Sequence, residues 1–140
     1  MVKYDGKTFK LFNTGLADKR VILVTNGPDG SIWAGTESAG VGVLNDEQFK
    51  MIIDADGLGH NEIFSMYYDG KSMWAGTFGG GVSCFNDGLW FTMSQADGLA
   101  SSNVGAILST KDKILLGGNN GLSVFEKNDS QFTLKFDKVL

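Results

Sequence analysis

Apolar runs of three to six residues, each closed off by a polar turn, recur along the whole chain. Val21-Ile22-Leu23-Val24 precedes Ile32-Trp33-Ala34, and Ile63-Phe64-Ser65-Met66-Tyr67 precedes Met73-Trp74-Ala75. Runs of this length, rich in β-branched and aromatic residues, read as strands. Asp69-Gly70, Asp87-Gly88 and the stretch Asn26-Gly27-Pro28-Asp29-Gly30 fall between them, where a tight hairpin needs positive φ. No stretch has a helical period, and 20 glycines spread through the sequence would weaken any helix.

The pattern repeats. Ile32-Trp33-Ala34-Gly35-Thr36 returns 41 positions later as Met73-Trp74-Ala75-Gly76-Thr77. After another 41 it returns, degraded, as Ile114-Leu115-Leu116-Gly117-Gly118. Gly40-Val41-Gly42-Val43-Leu44 matches Gly81-Val82-Ser83-Cys84-Phe85 and Gly121-Leu122-Ser123-Val124-Phe125. Ala55-Asp56-Gly57-Leu58 matches Ala96-Asp97-Gly98-Leu99, with an echo at Gly15-Leu16. Phe9, Phe49, Phe91 and Phe132 each open a short segment after a polar turn. Four landmarks in constant order define one structural unit used several times.

Each unit reads as four strands, A to D. In the best-preserved copy these are residues 63–68, 72–77, 82–85 and 90–94. Strand A is apolar on both faces at 21–24 and 63–67, whereas a two-layer sandwich leaves one face polar. Four-stranded blades packed radially cover both faces of an inner strand, and their repeat length is in this range. A parallel β-helix would have shorter coils and no Asp-Gly hairpins. The expected fold is therefore all-β, an incomplete β-propeller of about three and a half blades. Residues 1–20 form a partial blade (strands C and D) with its connector, followed by blades at 21–62, 63–104 and 105–140.

The string Ala-Asp-Gly-Leu, a strand, Asp-Gly, Met73-Trp74-Ala75-Gly76-Thr77, Phe78-Gly79-Gly80-Gly81-Val82 and a Phe-Thr outer strand resembles the two-component regulator propeller repeat. The likeness extends over about residues 1–136 and is weakest in the third blade, where Leu115 replaces tryptophan and Gly118 replaces threonine. It implies a bacterial extracytoplasmic sensor segment, often glycan-binding, within a hybrid two-component system. The tryptophan-aspartate propellers fit less well, because no Trp-Asp pair occurs.

Composition narrows the chemistry. With 12 Lys plus Arg against 16 Asp plus Glu and no basic cluster, a nucleic-acid backbone is not an expected partner. One cysteine, Cys84, and one histidine, His60, allow neither an intramolecular disulfide nor a zinc site built from these ligands. No apolar stretch reads as a signal peptide or membrane span. His60 beside Asn61 and Glu62 has no partner at a spacing that implies catalysis. Asp54-Ala55-Asp56-Gly57 reads as a turn rather than a calcium loop, and Gly79-Gly80-Gly81 lacks the Gly-Lys-Ser/Thr of a phosphate loop. No enzyme activity, cofactor or metal is expected.

The functional expectation is positional. Propeller loops joining B to C and D to A gather on one face. Here the first set holds Glu37, Ser38, Phe78, Gly79, Asn119 and Asn120, and the second holds His60, Asn61, Ser102 and Asn103. These vary while the frame repeats, as for a small-molecule, glycan or protein-partner site on a shared scaffold. Trp33 and Trp74, mid-strand, are expected in the core rather than as sugar platforms. The open blade sides predict self-association, or packing against the remainder of a larger propeller.

Overall fold

The computed structural model describes residues 2–18, 20–127 and 132–133. They form one two-stranded and three four-stranded antiparallel sheets. Strands β1 (Val2–Tyr4) and β2 (Phe9–Leu11) make the N-terminal pair. The first blade is β3 (Val21–Asn26), β4 (Ile32–Thr36), β5 (Val41–Asn45) and β6 (Gln48–Ile52). The second is β7 (Ile63–Tyr68), β8 (Met73–Thr77), β9 (Val82–Asn86) and β10 (Leu89–Met93). The third is β11 (Val104–Ser109), β12 (Lys113–Gly118), β13 (Gly121–Lys127) and β14 (Phe132–Thr133). Within each sheet the strands pair in chain order, as propeller blades do.

The cores lie between sheets. Trp33, Val41, Leu58, Ile63, Met73 and Ala75 join the first blade to the second. Trp74, Val82, Cys84, Leu99, Ile114, Leu116 and Phe125 join the second to the third. Phe12 and Leu16 pack on Ala34 and Phe49, joining the N-terminal pair to the first blade. Leu16, Leu58 and Leu99, the leucines of the Gly-Leu echo, are thus buried pegs, one at each junction. The preceding turn is built by its aspartate. Asp56 Oδ2 accepts from the Ile53 N–H at 3.0 Å and Asp97 Oδ2 from the Ser94 N–H at 2.9 Å. Gly57 and Gly98 then turn the chain at φ of 107° and 101°, where a side chain would be strained.

The two tryptophans are interior, at 4% exposure for Trp33 and 0% for Trp74. Each ring meets a phenylalanine of the next blade, Trp33 against Phe85 at 5.6 Å and Trp74 against Phe125 at 6.4 Å between centroids.

Two expectations are corrected. Phe91 is not the counterpart of Phe49: Phe49 pairs with Leu44 and Trp90 with Phe85, so Phe91 lies one residue out of phase. In a strand that shift sends it to the other face, where it meets Trp74 edge-on at 6.4 Å. Strand A is not covered on both sides along its length. Each inner strand carries a register shift, between Val21 and Leu23, Ile63 and Ser65, and Val104 and Ala106. The bulged residue, Ile22, Phe64 or Gly105, is left exposed, as are Val24 in β3 and Leu108 in β11, so the apolar runs that looked doubly buried contain outward residues.

Candidate functional site

The loops expected to share a face do so, because their backbones bond to one another. Glu37 N–H donates to Arg20 C=O at 3.1 Å and Phe78 N–H donates to Glu62 C=O at 3.0 Å. Between blades, Gly40 N–H donates to Asn61 C=O at 2.7 Å and Gly81 N–H to Ser102 C=O at 2.8 Å. These bonds satisfy loop groups that would otherwise need water.

Several candidate residues are taken up by this framework. Ser38 donates its N–H and hydroxyl to Asp18 Oδ2 at 3.0 and 2.8 Å, and Glu37 pairs with Arg20 at 2.7 Å. The Asp18 carboxyl is held below its ordinary range, first by the Arg20 backbone N–H and then by the Ser38 hydroxyl. Asn61 Oδ1 accepts from Asp54 N–H at 2.8 Å, and His60 Nδ1 accepts from Glu62 N–H at 3.1 Å. Ser102 Oγ donates to Gln95 Oε1 at 2.8 Å, while its carbonyl also accepts from the Gly79 N–H at 3.1 Å. Asn120 stands exposed in the turn after β12.

Three candidates converge. Phe78, Asn103 and Asn119 line an open cleft of about 630 Å³ between the second and third blades, with Phe64, Gly105, Ala106, Gly117 and Gly118. Phe64 and Phe78 form one wall, 40% and 44% exposed, their rings 5.2 Å apart and tilted by 54°. Phe64 reaches this position because it is the bulged residue of β7. The space opposite exists because the bulged residue of β11 is Gly105, which carries no side chain. Asn119 Oδ1 accepts from Ser101 Oγ at 2.6 Å, which fixes its amide and leaves the NH₂ group available to donate. Loop position pointed to Phe78, Asn103 and Asn119. Phe64 escaped notice because nothing local in a sequence marks a bulge.

The arrangement offers an apolar aromatic wall, a floor of small residues and amide groups at the rim. It offers no acid-base pair, and among the described residues no three His, Cys, Asp or Glu side chains gather as a metal site. Cys84 is buried away from the cleft, and burial pushes its thiol up to about 12.

No family model matches the sequence, and no curated protein matches it. Among the described residues no helix is long and apolar enough to cross a membrane. Among solved structures the chain is similar to one described as the extracellular domain of a hybrid two component system, BT3049, from B. thetaiotaomicron. The TM-score is 0.71 at 20% identity, over 96% of this chain and 22% of that one. At that identity the likeness establishes the fold, an all-β array of propeller blades corresponding to under a quarter of the longer domain's chain.

Proposed function

We propose that this chain is a non-enzymatic sensing segment of a propeller that works outside the cytoplasm and takes a small neutral ligand in the cleft between its second and third blades. The exposed Phe64–Phe78 pair carries this reading. Two half-exposed aromatic rings beside the fixed amide of Asn119 suit a ligand with an apolar face and a hydroxylated edge, of which a glycan ring is the fitting class. The extracellular sensor-type neighbour supports the setting. Screening glycans against the chain, followed by titration calorimetry, tests it: binding should be lost in Phe64→Ala and Phe78→Ala, which leave the core intact. Binding indifferent to both substitutions would move the ligand elsewhere.

A second reading, assembly through the open blade side, has its own observation. A Cβ at Gly76 would lie 2.2 Å from the Val104 carbonyl oxygen, so that glycine is a socket for the next blade. At Gly117, its counterpart, a Cβ would meet nothing nearer than Ala106 Cβ at 3.4 Å, within its own sheet. Self-association that fills this socket would also narrow the cleft it lines. Solution mass by light scattering, with and without a Gly117→Val substitution, separates the readings: assembly predicts an oligomer that the substitution dissolves.

A further inference from the structure

We propose that a pocket between the first two blades, at the end of the strands away from the loop cleft, binds a small primary amine with an apolar arm. Strands that pair in chain order bring their A–B and C–D hairpins to one end of a blade and their B–C loops to the other. At the hairpin end, Asp29, Ser31, Trp33, Asn45 and Asp46 of the first blade and Phe85 of the second line an open pocket of about 410 Å³. Its inner wall is aromatic. The rings of Trp33 and Phe85 stand 5.6 Å apart and tilted by 50°, backed by Trp90 at 6.0 Å from Trp33 and 5.3 Å from Phe85.

The rim is acidic. Asp29 and Asp46 are exposed, and among the described residues neither carboxylate pairs with a cation or accepts a hydrogen bond. They differ in this from Asp56, Asp69 and Asp97, whose carboxylates close turns. A turn-building role therefore does not account for the two acids.

The next junction shows what such a place accepts. There Asp69 accepts the Trp74 indole N–H and faces the Lys127 ammonium at 3.9 Å, so the chain supplies both charges itself. In the first junction the Trp33 indole donates to Ser31 Oγ at 2.9 Å instead. Asp87 stands two residues past Phe85, where Lys127 stands two past Phe125. The chain thus provides carboxylates and rings at this pocket and no cation of its own. A bare metal ion is a poor guest, since among the described residues no three His, Cys, Asp or Glu side chains group as ligands. An organic ammonium needs only negative charge at the rim and an aromatic surface for its arm.

The test titrates pentylamine into the chain and follows the indole N–H resonances. The expected result is a saturable shift of the Trp33 resonance, with Trp74 unmoved and no response to pentan-1-ol. Asp29→Asn combined with Asp46→Asn should weaken binding by roughly tenfold or more, the sum of two rim ion pairs. Both residues hold positive φ, 56° and 44°, which asparagine tolerates as aspartate does, so the change removes charge and keeps the turns. Phe64→Ala, in the loop cleft, should leave amine binding untouched, which keeps this site distinct from the glycan reading. Nα-acetyl-lysine amide identifies the source of the amine: tighter binding than pentylamine points to a lysine side chain of a protein, weaker binding to a free amine. The proposal is overturned if pentan-1-ol binds as tightly as pentylamine, if the double asparagine variant binds as well as the unmodified chain, or if Phe64→Ala removes the response. Absence of a saturable shift with both amines overturns it as well.

Discussion

Trp74 donates its indole N–H to Asp69 Oδ2 at 3.2 Å, tying the centre of β8 to the hairpin that leads into it. The other oxygen of the same carboxylate accepts the N–H groups of Lys71 and Ser72 at 2.9 and 2.7 Å. Lys127 of the third blade lies 3.9 Å away. One side chain therefore closes a turn, satisfies a buried indole and faces a cation of the neighbouring blade. Asp69→Ala should cost about 2 to 4 kcal/mol, because it leaves backbone and indole donors unpaired in a site of low exposure. Chemical denaturation would measure it, and Lys127→Met should cost far less if the hydrogen bonds dominate.

Truncating either tryptophan should be severe. Trp33→Ala and Trp74→Ala are each expected to cost about 3 to 5 kcal/mol, the range for a buried aromatic. Trp74→Ala should be the worse, since it also strands Asp69. Thermal melting of the two variants gives the ranking directly.

Cleft substitutions should behave in the opposite way. Phe64→Ala and Phe78→Ala remove half-exposed rings, so each should alter stability by about 1 kcal/mol or less while abolishing ligand binding. Replacing Glu37, Phe78 and Asn119 together is expected to cost more than Phe78→Ala alone, because Asn119 anchors Ser101 and Glu37 pairs with Arg20. Comparing melting temperatures with binding isotherms separates the two effects.

Cys84 gives a pH-dependent prediction. Its thiol is raised from an ordinary value near 9 to about 12, chiefly by burial. A group whose folded pKa lies above its unfolded pKa favours the fold at low pH, and that contribution is lost as pH rises between the two values. Stability should therefore fall more steeply from about pH 9 to pH 12 than it does in Cys84→Ala. In the native state the thiol should resist alkylation at pH 8 and react only on unfolding.

The blades were legible in the sequence because every strand is flanked by a turn residue and every turn recurs. Trp33 and Trp74 could be assigned to the interior from their matched mid-strand positions, and Asp56 and Asp97 to a turn from the glycine that follows each. Part of the cleft was legible, since Phe78, Asn103 and Asn119 lie in loops whose grouping follows from the topology. Phe64 and Gly105 were not, because the bulge that exposes them is a matter of pairing register, set by the partner strand. The placement of Phe91 failed for the same reason: one residue of phase is invisible in a list of repeats and decisive in a pleated strand.

The repeated bulge also separates two kinds of sequence freedom. Residues near it, such as Ile63 and Met66, pack into the core shared with the neighbouring blade. The bulged residue answers to no neighbour's packing, and at this one position the three blades carry an isoleucine, a phenylalanine and a glycine. A scaffold built this way can vary the relief of its inner surface one residue per blade, leaving the fit between blades untouched.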